Sequence, residues 1–128
     1  MNLRSPLGAA LGRGSARTGV GHWRTQRTTA LAMLPLSLWL IVSFIRLPLA
    51  DHAAVVWWLA SGWNATLLSL LVIAAGLHSM HSVQTIIEDY VHQHTVKYWA
   101  LLTNSGGHIL VCAGALYAIL RIALRGAA

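Results

Sequence analysis

Residues 64–90 have the sequence NATLLSLLVIAAGLHSMHSVQTIIEDY, in which an uncharged apolar run becomes polar without losing a helical pattern. Residues 65–77 carry no charge, and four polar side chains then follow at offsets of 0, 4, 7 and 11: His78, Ser82, Thr85 and Asp89. At about 100° per residue, all four lie within about 40° of His78 on one face of a helix. The stretch therefore predicts a membrane-spanning helix whose polar face starts inside the bilayer and reaches its surface.

The composition of the chain also predicts a membrane protein. Apolar residues make up 56% of the 128 residues and charged residues only 9%, against about 25% charged residues in ordinary soluble domains. The apolar runs predict an all-α fold with three transmembrane helices over residues 29–49, 64–87 and 98–124. Residues 1–20 are expected to be a disordered tail, with a transit peptide as the alternative, and residues 21–128 a single three-helix membrane domain.

Two local features refine these spans. Residues 53–60 are apolar and contain Trp57 and Trp58, but they are too few to cross a bilayer, so an interfacial helix or turn is expected there. Asn64 stands immediately before the second apolar run and is expected to be the N-cap of that helix.

The basic residues predict membrane topology rather than a nucleic-acid surface. The formal net charge is +6, and five arginines precede the first apolar run: Arg4, Arg13, Arg17, Arg24 and Arg27. With Lys97 they place six cations on one side of the membrane, against Arg46, Arg121 and Arg125 on the other. By the positive-inside rule, the N-terminus and the loop after Tyr90 are expected in the cytoplasm, or in the matrix of an organelle.

A histidine at membrane depth is a candidate functional site. A neutral imidazole is a good axial ligand for haem iron, and a b-type haem needs two such ligands from facing helices. His108 lies 11 residues after Lys97, and His78 lies 11 residues before Asp89, so antiparallel helices would hold both histidines at similar depth. The residues leave open whether His108 or another protein chain supplies the second ligand. They also leave open a histidine that only hydrogen-bonds across a helix interface.

The polar end of the second span is compatible with a quinone site, and the alternative is a helix-end carboxylate beside an interfacial aromatic side chain. The Tyr90 hydroxyl can donate to a quinone carbonyl, and the Asp89 carboxylate can orient it or relay a proton. Four residues are predicted in the vicinity of the haem propionates: Arg27, Arg24, His22 and His81. The alternatives are that the two arginines only mark the cytoplasmic side and that His81 is only a polar residue of a helix interface. The sequence contains no nucleophile–base constellation and no phosphate-binding glycine loop, so no catalytic residue is predicted.

These residues resemble the signature of a known family, the hydrophobic membrane anchor subunits of succinate dehydrogenase, of the alphaproteobacterial and mitochondrial type. The resemblance covers residues 21–124 and is carried by His78, Gln84, the segment 86–92 (IIEDYVH), Gln26-Arg27, Ala30, Trp63-Asn64 and residues 120–122. Ser82 stands where the family usually has glycine, and His81 and His108 occupy positions where apolar residues are expected.

The resemblance implies a three-helix anchor that holds one haem b together with a sister membrane protein, cytochrome b556. His78 would be one axial ligand, Tyr90 and Asp89 would face ubiquinone, and Arg27 would lie near the haem propionates. An FAD flavoprotein subunit would oxidise succinate and an iron–sulfur subunit would pass the electrons on, so no activity is expected of this chain alone. The implied location is the bacterial inner (cytoplasmic) membrane, or the mitochondrial inner membrane in a eukaryote.

Two other functions are compatible with the residues. One is a small membrane scaffold or assembly protein without a cofactor, in which the polar face only joins helices. The other is a self-contained b-type cytochrome that uses both His78 and His108 as ligands. Haem bound by the chain without a sister protein would distinguish this cytochrome from the membrane anchor.

Overall fold

The computed structural model describes residues 17–48 and 51–125, without the side chains of residues 17–19 and His22, as four helices. These are α1 (Arg17–Arg46), α2 (His52–Ala60), α3 (Gly62–Tyr90) and α4 (His94–Arg125). Three of them are long and apolar enough to cross a membrane, over Trp23–Arg46, Gly62–Tyr90 and His94–Arg125. The prediction of an all-α fold with three membrane spans is confirmed.

The helices extend beyond the predicted spans. α1 begins at Arg17, so residues 17–20 of the expected tail are helical, while residues 1–16 lie outside the described residues.

Ser61 holds the N-cap position of α3, whereas the Asn64 side-chain amide donates a 2.8 Å hydrogen bond to the carbonyl of Trp58. The prediction of Asn64 as the N-cap is therefore wrong, because its amide instead ties α3 to the preceding helix.

The short helix α2 confirms the helical interpretation of residues 53–60. Its N-cap is Asp51, whose carboxylate accepts a 2.9 Å hydrogen bond from the backbone N–H of Ala53. The ring of Trp58 stacks on Trp39 of α1 at a centroid distance of 5.6 Å and is tilted against Phe44 at 6.5 Å. These aromatic contacts fix one end of α1 against α2.

The three long helices form an open layer with α3 in the middle. Both α1 and α4 pack along α3, and in the described ranges α1 and α4 do not approach each other closely. A small apolar core of Leu59, Ala65 and Ile119 lies at the end of the layer where α2 packs against α3 and α4. In the described part of the chain no large side chain is fully buried. Most large apolar side chains are left for lipid and for other protein helices.

Gly76 and Cys112 form a tight contact between α3 and α4. A Cβ atom on Gly76 would overlap the Sγ atom of Cys112. The thiol of Cys112 lies 3.9 Å from the carbonyl oxygen of Val72, one turn earlier on α3. Small residues allow membrane helices to approach closely, and here the glycine provides the space that the sulfur fills.

We expect Gly76→Ala to weaken the packing of α3 against α4 and to lower the free energy of unfolding by about 1–3 kcal/mol, because the new methyl group overlaps the sulfur. A detergent-unfolding titration of the purified chain measures the effect. The double variant Gly76→Ala/Cys112→Ala should recover most of the loss. Gly114→Ala is the matched control, since nothing lies within 4 Å of that added carbon. Equal stability of Gly76→Ala and Gly114→Ala would contradict a tight contact.

Candidate functional site

His78 lies at the interface between α3 and α1. It is half-buried near the middle of α3, and its Nδ1 atom is 3.3 Å from the carbonyl oxygen of Gln26 and 3.4 Å from the Oγ1 atom of Thr29. Thr29 is only 8% exposed, and no other polar side chain in the described ranges is buried to this degree. The site is therefore a buried polar contact between two membrane helices.

The neighbours of Nδ1 assign the tautomer of His78. A backbone carbonyl can only accept a hydrogen bond. The single hydroxyl hydrogen of Thr29 is directed to backbone oxygens of its own helix, 2.8 Å from Thr25 and 3.0 Å from Gln26. Nδ1 therefore carries the hydrogen and donates it, which leaves the lone pair on Nε2. Among the described residues Nε2 has no hydrogen-bond partner, so it is available as a ligand.

One further contact extends this cluster toward the polar end of α3. The side-chain amide of Gln26 donates to the hydroxyl of Ser82 at 3.3 Å, and that hydroxyl donates to the carbonyl of His78 at 2.9 Å. The half of the predicted polar face nearer the middle of α3, His78 and Ser82, thus contacts α1. The outer half is exposed, with the Thr85 hydroxyl bonded to the carbonyl of His81 at 3.0 Å.

Sequence reasoning missed Gln26 and Thr29 as parts of the site. The sequence pattern marks Gln26 only as a point of family likeness, and Thr29 only as the start of a span. The available signal is their spacing, because two polar residues three apart at the start of an apolar run lie on one helix face. The pattern carries no information about which neighbouring helix they contact.

His108 lies at similar depth but on another side of α3. Its Nδ1 atom is 2.8 Å from the carbonyl oxygen of Asn104, and its Nε2 atom is 3.0 Å from the hydroxyl oxygen of Ser79. The carbonyl requires a hydrogen on Nδ1, so Nε2 accepts from the serine hydroxyl. Both nitrogens are thus used within the chain. Since His78 contacts α1 and His108 contacts Ser79, the geometry argues against a haem held by these two histidines of one chain.

Four residues were predicted to lie near haem propionates. Three of them belong to α1, namely His22, Arg24 and Arg27, and His81 belongs to α3. The guanidinium carbon of Arg27 is 5.6 Å from the centroid of the Trp23 ring, a cation–π contact. Arg24 lines a groove of about 370 Å³ on α1 that also reaches Thr29. His81 is half-buried. The side chain of His22 lies outside the described residues.

Asp89 and Tyr90 are the last two residues of α3, and both are exposed, Tyr90 by 79%. The preceding residue holds this end of the helix in place: the carbonyl of Glu88 accepts a 2.8 Å hydrogen bond from the Lys97 ammonium group, and its carboxylate accepts one from Gln84 at 2.8 Å. By the helical rise, Tyr90 lies about 18 Å along the axis from His78.

A wide apolar groove of about 1110 Å³ lies between α3 and α4, a feature that the sequence did not predict. Its lining includes the polar contacts of Ser79, Asn104 and His108, with apolar side chains on either side of them. Within the described residues no group of three or more His, Cys, Asp or Glu side chains could hold a metal ion. A haem iron is compatible with that arrangement, because the protein supplies it with axial ligands only.

Known proteins match the chain over almost its whole length. The family described as succinate dehydrogenase/fumarate reductase transmembrane subunit matches residues 1–120. The succinate dehydrogenase hydrophobic membrane anchor subunit of Rickettsia bellii (strain RML369-C) is 30% identical over 121 residues, covering 94% of this chain and 89% of the relative. The protein of the same name from Rickettsia conorii (strain ATCC VR-613 / Malish 7) is 28% identical over 97 residues, covering 75% and 77%. No solved structure gives a significant match. The chain therefore belongs to the family of transmembrane subunits of succinate dehydrogenase and fumarate reductase.

Proposed function

We propose that the chain is the hydrophobic membrane anchor subunit of a succinate dehydrogenase. The observation that carries the proposal is the family match over residues 1–120, which includes the mid-span His78 and the Asp89-Tyr90 pair. Its partners are cytochrome b556 as the second membrane protein, the iron–sulfur subunit and the FAD flavoprotein subunit. The open layer of helices supports such an assembly, because its exposed apolar faces can receive the helices of a second membrane protein.

The residues around His78 fit a haem b. Nδ1 is engaged by α1 and Nε2 keeps its lone pair, the tautomer that an axial ligand needs. As the family resemblance implies, cytochrome b556 would supply the second ligand to the iron. His108 would not, because both of its nitrogens are used within this chain. Bound haem contributes a one-electron carrier. Arg24, Arg27, His81 and His22 would lie near its propionates, where the positive charges of the two arginines would offset the negative charges of these groups.

Tyr90 and Asp89 form this chain's part of a ubiquinone site. Their exposure at the end of α3 supports a pocket that other subunits complete. The phenol of Tyr90 donates a hydrogen bond to a quinone carbonyl, and the Asp89 carboxylate orients the phenol or relays a proton. The contribution of the chain to quinone reduction is thus to bind and orient the quinone ring.

The end of the layer that carries Tyr90 faces the cytoplasm, or the matrix in a mitochondrion. Arg24, Arg27 and Lys97 belong to this end, and the other end carries Arg46, Arg121 and Arg125. The family resemblance implies that the membrane is the bacterial inner (cytoplasmic) membrane, or the mitochondrial inner membrane in a eukaryote. The soluble subunits then dock on the Tyr90 end.

One observation favours a second candidate function, a membrane scaffold without a cofactor. His78 hydrogen-bonds across the α1–α3 interface, as a histidine that only joins two helices would. The two functions differ in the role of Nε2, which binds iron in the membrane anchor and binds nothing in the scaffold.

Isolation of the complex in mild detergent tests the anchor function. We expect mass spectrometry of the preparation to identify flavoprotein, iron–sulfur and second membrane subunits together with this chain. We also expect visible spectra to show the Soret and α bands of a low-spin haem. A chain that purifies without flavoprotein and iron–sulfur partners would contradict the anchor function, and partners without haem bands would contradict the haem site alone.

We expect His78→Leu to remove or severely weaken haem binding by the complex, because the iron loses an axial ligand. His108→Leu is the matched control: it removes a histidine at similar depth and should leave a six-coordinate low-spin haem, since this side chain bonds to Ser79. Visible and electron paramagnetic resonance spectra of the two variant complexes measure the difference. A high-spin haem in His108→Leu beside an unchanged spectrum in His78→Leu would reverse the assignment.

We expect Tyr90→Phe to slow quinone reduction by about 5- to 150-fold, equivalent to roughly 1–3 kcal/mol for one lost hydrogen bond to the reacting carbonyl. The ring remains, so the packing of the helix end is kept. Succinate oxidation with an artificial acceptor that takes electrons before the quinone should stay at the wild-type rate, and the haem content should persist. A wild-type rate of quinone reduction would show that the tyrosine is only an interfacial side chain.

A further inference from the structure

We infer that Thr29, together with the backbone carbonyl of Gln26, is a positioning group for His78, which orients the imidazole from α1 and thereby sets the reduction potential of an iron bound at Nε2. The inference rests on the proposed haem site and assigns part of the control of the cofactor to α1. The observations that carry it are the two contacts of Nδ1, at 3.3 and 3.4 Å, and the burial of Thr29.

The Gln26 carbonyl alone is a poorly available partner for Nδ1. It already accepts the backbone hydrogen bond expected from the N–H four residues along α1, and its distance of 3.3 Å from Nδ1 is long for a hydrogen bond. A carbonyl oxygen has two lone pairs. The second lone pair faces Nδ1, and the Oγ1 atom of Thr29 offers a further acceptor for the same hydrogen at 3.4 Å.

The Thr29 hydroxyl is held in place for this role. Its hydrogen bond to the Thr25 carbonyl, at 2.8 Å, directs the hydrogen along α1 and leaves the lone pairs of Oγ1 for the imidazole. A β-branched side chain in a helix also has few rotamers. Because Thr29 is 8% exposed, lipid and water do not replace it easily as an acceptor.

The contact has an electronic consequence for a ligating histidine. A histidine whose second nitrogen donates to an acceptor is a more basic ligand, and a more basic ligand favours the oxidised iron. Loss of one acceptor should therefore make the reduction potential more positive. It should also loosen the orientation of the ring, because the remaining acceptor is shared with other donors.

Three variants of the complete complex test this inference. Thr29→Val keeps the branched shape but removes the acceptor, and we expect a haem that stays low-spin with a more positive midpoint potential and about 10-fold weaker retention. Thr29→Ser keeps the hydroxyl and should retain the wild-type potential. Thr28→Val is the matched control, an adjacent and exposed threonine on the same helix, and should also leave the potential unchanged. Optical redox titration measures the potential, and the electron paramagnetic resonance g-values report the orientation of the ring.

The outcomes separate this inference from the proposed function. A wild-type complex without haem would refute the haem site itself. If wild type binds haem and Thr29→Val has the same potential and g-values as Thr28→Val, Thr29 has no positioning role. If Thr29→Val and Thr29→Ser both lose haem, the residue acts through packing and the inference is wrong. Loss of haem in Thr29→Val alone, with a wild-type Thr29→Ser, supports the hydroxyl as the active group.

Discussion

The polar side chains in the middle of α3 must find partners inside the protein, because the hydrocarbon core of a bilayer offers none. The structure meets this constraint on two faces of one helix. His78 and Ser82 bond to Gln26 and Thr29 of α1, whereas Ser79 and the carbonyl of Met80 bond to His108 and Asn104 of α4. Interhelical hydrogen bonds in membrane proteins average about 0.6 kcal/mol. These few contacts therefore specify the register of the three helices more than they hold the helices together.

The open layer follows from the same division of α3 between two neighbours. With α1 along one side and α4 along the other, the helices do not close around a common core, and few of the described apolar residues are buried. The tight contact of Gly76 with Cys112 joins only one pair of helices. Such a layer has enough apolar surface to face lipid on one side and protein on the other. This supports the proposed role as one of two membrane subunits.

The two candidate binding residues, His78 and Tyr90, lie on one continuous helix. His78 and Tyr90 are separated by 12 residues of uninterrupted helix, or about 18 Å along its axis. Their separation therefore does not depend on a loop. The end of this helix is held by Lys97, whose ammonium group bonds to the carbonyl of Glu88. In the proposed complex, the helix fixes the distance between the side chain that binds haem and the side chain that binds quinone. The haem and the quinone themselves carry the redox chemistry.

Local properties of the chain were determined by the sequence itself. Hydropathy placed the three spans, and the period of the helix placed His78 and Ser82 on one face, because both properties depend only on neighbouring residues. The ends of the helices were less predictable: α1 begins at Arg17, and Asn64 bonds back to Trp58 instead of capping α3. Only the tertiary structure decided which helix each polar face meets. The partners of His78 lie about 50 residues away in the sequence. The sequence also left His108 open as the second ligand, whereas in the structure Asn104 and Ser79 occupy both of its nitrogens. A helix that is apolar on most of its surface does not encode its rotation about its own axis, so that choice comes from packing between segments far apart in the chain.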